Sequence, residues 1–89
     1  VDPGLDGLEP LRRAHLQLDL GRIRTMTADY PDAERLLLAA HGAFADGFGG
    51  GYDLTRQSVT ELITMYDAWA KAGSAAAVTA AREWRARRS

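Results

Sequence analysis

The chain has 89 residues, 46% of them hydrophobic and 26% charged, which supplies one folded core and falls short of two domains. Lys and Arg number 11 against 12 Asp and Glu, so the formal net charge of −1 excludes a global electrostatic pull toward nucleic acid or membrane. With no cysteine there is neither a disulfide nor a thiolate metal site, and the apolar runs are too short to cross a bilayer.

The chain opens Val1-Asp2-Pro3-Gly4 with no initiator Met, as expected of a processed product or of a piece of something longer. Val1 to Gly7 carries Pro, Gly and Asp and is expected to be extended, with residues 1–10 as a lead-in. A first helix is predicted from Leu8-Glu9-Pro10-Leu11, where Pro10 is tolerated in the first turn because its N–H needs no partner there. Leu16, Leu20, Ile23 and Thr27 follow a 3.6-residue period and are expected to face the core, with Leu11, His15 and Leu18 as a second stripe. Pro31 disfavours the α region for the residue before it, so the break is expected at Tyr30.

On the second helix Ala33, Leu37, Ala40 and Phe44, widened by Leu36, form one apolar face. Asp32 and Glu34 suit the positive end of its dipole. Asp46 to Tyr52, rich in glycine, is expected to be non-helical. A third helix is predicted from about Thr55, capped by Asp53 or Thr55, with Val59, Leu62, Tyr66 and Trp69 on its buried face. Ala72-Gly73-Ser74 makes the next turn, and the last helix, Ala75 to Arg87, ends in a cationic stretch that complements its dipole. No segment alternates as a strand does. The expected fold is all-α, two antiparallel hairpins forming a short α-solenoid or a four-helix bundle. The first hairpin takes 11–47, a glycine-rich connector 48–54, and the second hairpin 55–88.

Leu20-Gly21-x-x-Arg24, then Tyr30 and Ala33-x-x-x-Leu37, resembles the tetratricopeptide repeat. A second copy runs Leu62-x-x-Met65-Tyr66-x-x-Trp69 and Val78-x-x-x-Arg82. Leu20 and Met65 stand 45 residues apart, longer than the usual period of about 34, with the excess in the glycine connector. That spacing is similar to the longer-loop repeats of kinesin-light-chain-like proteins and of segments beside bacterial kinase domains. The likeness covers roughly residues 14–88, although bulky Tyr66 stands where the pattern has a small residue. It implies a scaffold that holds another protein in a groove lined by the first helix of each hairpin. Carried onto this chain, the groove positions are His15, Leu18, Arg22, Thr25 and Met26, then Thr60, Ile63, Asp67 and Lys71. A peptide or a neighbouring helix would fit such a mixture. Gly21 and Ala33 would let the paired helices approach closely.

Signals for chemistry are weak beside their structural readings. His15 and His41 lie on different helices with no third ligand at metal spacing, so no metal or cofactor is expected. Gly47-Phe48-Gly49-Gly50-Gly51 lacks the Gly-Lys-Ser/Thr ending of a phosphate loop and follows a helix where a strand is required. Tyr66, Trp69 and Trp84 at helical spacing are expected in the core rather than in a ligand cage. The acidic groups Asp29/Asp32/Glu34 and Glu61/Asp67 are expected on solvated faces. Arg82, Arg85, Arg87 and Arg88 form the one cationic run, a candidate contact for phosphate or an acidic partner. The expected role is therefore a non-enzymatic protein-interaction module that self-associates or joins a larger complex through its N-terminal hairpin. The alternative is an Arg-mediated binder of nucleic acid or phosphorylated partners, which salt dependence would reveal.

Overall fold

The structure, a computed structural model, describes residues 3–88, with side chains from Glu9 onward. It is all-α, with four helices: α1 (Pro3–Met26), α2 (Tyr30–Phe48), α3 (Asp53–Lys71) and α4 (Ala75–Arg88). Each helix packs on its chain neighbour, and α1 also meets α3 along a narrow edge, while α1 and α4 stay apart. The described helices thus form an open row of two hairpins, 48 × 28 × 15 Å, rather than a closed ring.

The core runs through this row. α2 contributes Ala33, Leu36, Leu37, Ala40 and Phe44, the face that the periodicity predicts. α3 contributes Leu62, Ile63, Met65 and Tyr66, flanked by half-buried Val59 and Trp69. α4 contributes Ala77, Ala81 and Trp84. On α1 the expectation is reversed. Ala14 and Leu18 are buried with Leu11 packed beside them, whereas Leu16, Leu20 and Ile23 face outward.

Gly21 explains the reversal. A Cβ placed on it would stand 2.6 Å from Cγ and Cδ2 of the fully buried Leu37. The α1 backbone thus lies directly on α2, and the face carrying the small residues turns inward because only that face permits so close an approach.

Helix ends also depart from the sequence reading. The expected extended lead-in is helical from Pro3, while Val1 and Asp2 lie outside the described residues. Pro10 consequently sits inside α1 rather than in its first turn. Tyr30 is the first residue of α2 and not the break, because Pro31 then occupies the first turn, where its missing N–H is harmless. The break is Thr27-Ala28-Asp29, where the Asp29 N–H reaches back to Arg24 O (2.8 Å) and Ala28 adopts φ 63°. α2 continues through Asp46, Gly47 and Phe48, so the connector shrinks to 49–52. Gly49, at φ 85°, terminates α2, and Phe48 stacks on Tyr52 across the connector (centroids 4.4 Å apart).

Neither Asp53 nor Thr55 caps α3. The cap position is Tyr52, and Thr55 is buried within the helix with its Oγ1 lacking a partner. The α3–α4 turn follows expectation: the Ser74 N–H reaches Trp69 O, Gly73 takes φ 114°, and the Ala77 N–H donates to Ser74 Oγ at 3.2 Å.

Candidate interaction surfaces

The nine positions inferred for a groove do not share one surface. Leu18 and Ile63 belong to the core and cannot face a partner. Both are members of the apolar cluster that the helices bury between them. Arg22 pairs with Glu61 of α3 at 3.5 Å, and Thr25 Oγ1 donates to Gly21 O at 2.9 Å, so both serve the fold. Asp67 is held by the Arg85 guanidinium, whose Nη1 donates to Oδ1 at 2.9 Å. His15 lies edge-on to Phe44, centroids 5.5 Å apart. Thr60 and Lys71 are exposed, Thr60 two turns into α3 and Lys71 at its end.

Met26 keeps its outward position, and it has company. Leu16 is 62% exposed, Leu20 44%, Ile23 52% and Met26 85%. Leu16, Leu20 and Ile23 stand on the side of α1 opposite Ala14, Leu18 and Gly21, as 3.6 residues per turn requires. Met26 borders them one turn on. This helix is therefore apolar on two opposite faces, of which its own fold covers one. The two faces cancel in any single direction of amphipathicity, so sequence periodicity alone does not choose between them.

The acidic residues do more than solvate a face. Glu34 Oε2 accepts from the Tyr66 hydroxyl at 2.7 Å, joining α2 to α3. Burial, then Glu34, pushes the Tyr66 phenol above its ordinary pKa of 10, so it remains a donor at neutral pH. Asp32 meets Arg24 of α1 at 3.1 Å and Arg35 of its own helix at 2.6 Å. These ties fix which helix faces meet. The exposed ion pairs among them each contribute about 1 kcal/mol or less.

The aromatic residues sort into two groups. Tyr30, Trp69 and Tyr66 stack in series, with centroids 5.9 and 6.5 Å apart. Trp84 stands elsewhere, edge-on to His41 at 4.9 Å and beneath the Arg87 guanidinium. The three-ring cage weighed from sequence therefore does not form. Burial first and Arg87 second hold His41 below its ordinary pKa of 6.5, while Asp46 pulls the other way.

The cationic run divides as well. Arg85 is bound to Asp67, and Arg82 is exposed. Arg87 and Arg88 converge with Arg56 of α3 on a cleft of about 690 Å³. Sequence reasoning missed Arg56, because only the α3–α4 packing brings it to the end of the chain. A smaller notch of about 230 Å³, lined by Pro10, Leu11, Ala14, Ala43, Gly47 and Phe48, opens between α1 and α2.

Among the described residues no group of three or more His, Asp or Glu could hold a metal, and no helix is long and apolar enough to cross a membrane. Comparison with protein families, curated proteins and solved structures finds no significant match.

Proposed function

We propose that this chain is a protein-interaction module whose docking surface is the outward face of α1. One observation carries the reading: Leu16, Leu20, Ile23 and Met26 form a contiguous exposed apolar stripe on a helix whose opposite face is already packed. The open row of hairpins supports it, since a helical repeat leaves its end helix with an uncovered face that a neighbouring element covers. The occupant is an apolar helical face, from a second copy or from another protein, laid along α1 with contacts at positions i, i+4 and i+7. A binding role rather than a catalytic one also fits the titratable groups: His15 and His41 pack against aromatic rings, and Glu34, Glu61 and Asp67 are spent on cross-helix ties.

Sedimentation equilibrium at rising concentration, together with titration by a Leu-rich amphipathic helical peptide, tests the proposal. The expected result is saturable association, through self-assembly or peptide capture, abolished by the double substitution Leu16→Glu and Ile23→Glu. A chain that remains monomeric at every concentration and ignores the peptide would contradict it.

A further inference from the structure

We infer that the cleft between the start of α3 and the end of α4 binds a single phosphate monoester group through Arg56, Arg87 and Arg88. The site is separate from the α1 face and does not depend on it, because α1 and α4 stand at opposite ends of the row.

Charge comes first. Three guanidinium groups and the one carboxylate of Asp53 line the cleft, leaving a net charge of +2. A phosphate monoester approaches −2 above its second pKa of about 6. Guanidinium is suited to that partner, because its fixed fork of N–H donors matches two phosphate oxygens at once.

The geometry holds the donors ready. The Arg87 guanidinium carbon sits 4.5 Å from the Trp84 ring centroid. Stacking on a ring face engages the π-surface of the cation and leaves its in-plane N–H groups aimed outward. Arg56 is steadied by Asp53 at 3.4 Å, a long contact between two exposed side chains that a dianion outcompetes. Gln57 also lines the cleft and adds neutral hydrogen-bonding capacity.

A single group is favoured over a polyanion. Nucleic acid is held by cations spread along successive phosphates. Here the cations converge on one cleft, and Arg85, which would extend the stripe, is bound to Asp67. The volume of about 690 Å³ leaves room beyond the phosphate for whatever carries it. A phosphorylated serine in a peptide and a small phosphorylated metabolite share this chemistry.

The test is titration of the full chain at constant ionic strength, followed by backbone amide NMR. The probes are a phosphoserine peptide, its unphosphorylated counterpart, free phosphoserine and a single-stranded oligonucleotide. Saturable shifts confined to the start of α3 and the end of α4 are expected with the phosphorylated probes alone. Arg56→Gln and Arg88→Gln should each weaken binding about tenfold or more, as loss of a charge-assisted contact does. Asp53→Asn should strengthen binding, a gain that a misfolded variant cannot imitate, and Arg82→Gln should leave it unchanged. The inference holds with a peptide source if the peptide binds more tightly than free phosphoserine, and with a small-molecule source if the two are equal. Equal binding of both peptides would overturn it, as would an Arg82→Gln loss matching that of Arg56→Gln. An oligonucleotide that outbinds every monoester would overturn it too, by making the surface a polyanion site.

Discussion

The two hairpins reach similar packing by different means. In the first, α1 is brought down on α2 by Gly21, whose missing side chain is filled by Leu37. In the second, α4 brings Ala77 and Ala81 to the contact, and α3 keeps large side chains, including Met65 and Tyr66. Close approach thus comes from the first helix of one hairpin and the second helix of the other. The outer surfaces differ as well: α1 ends the row with an apolar stripe, and α4 ends it with arginines. Each end is suited to a different kind of contact.

Among the tests of how the hairpins are held together, the largest effect is expected at the glycine. Gly21→Leu should overpack the α1–α2 contact and cost about 3 kcal/mol, outweighing the gain in helix propensity of about 1 kcal/mol. A denaturant midpoint that rises on substitution would show that α1 does not lie on Leu37. A second substitution probes the α2–α3 tie that joins the hairpins. Tyr66→Phe leaves Glu34 without its donor and should cost about 1–3 kcal/mol by chemical denaturation. No loss would mean that the Tyr66 hydroxyl and Glu34 are equally well served by water.

The two turns offer a comparison of opposite sign. The first hairpin places Ala28 at φ 63°, whereas the second places Gly73 at φ 114°. An L side chain in the left-handed region is strained, so Ala28→Gly should raise stability by up to about 1 kcal/mol and Gly73→Ala should lower it by a similar amount. Thermal melts of the two variants shifting in the same direction would refute this account of the turns.

The smallest effect is expected at the contact between α2 and α4. His41 has a folded pKa below 6.5, so on acidification the unfolded chain takes up its proton first. The contribution of His41 is complete above about pH 6.5 and is lost as the pH falls through the depressed folded value. Denaturation midpoints should therefore fall as the pH is lowered below about 6.5, and His41→Gln should remove part of that slope. An unchanged slope in the variant would place the proton uptake on other groups.

Much of the fold was legible in the sequence because α2 and α3 each carry one dominant apolar face, so periodicity and burial agree. α1 was misread because hydropathy favours Leu16, Leu20 and Ile23, while packing favours the side on which Gly21 and Ala14 let the backbones approach. Composition puts Gly47 outside a helix, yet it lies in the last turn of α2, where an added Cβ would meet no neighbour. The arginine run was legible as a candidate anion contact, but how its members divide was not. Its partition depends on Asp67 binding Arg85 and on Arg56 arriving from α3, both set by tertiary packing.

The central claim is that α1 has one face in the core and the opposite face free for a partner. Leu16 and Leu18 test it most directly, since they are two residues apart, chemically identical, and 62% and 3% exposed. Chemical denaturation of dilute Leu16→Ala and Leu18→Ala should show a loss of about 2–5 kcal/mol for Leu18. The change for Leu16 should stay within about 0.5 kcal/mol. A larger loss at Leu16 than at Leu18 would contradict the account, because it would place the Leu16 stripe in the core and leave no apolar face for docking.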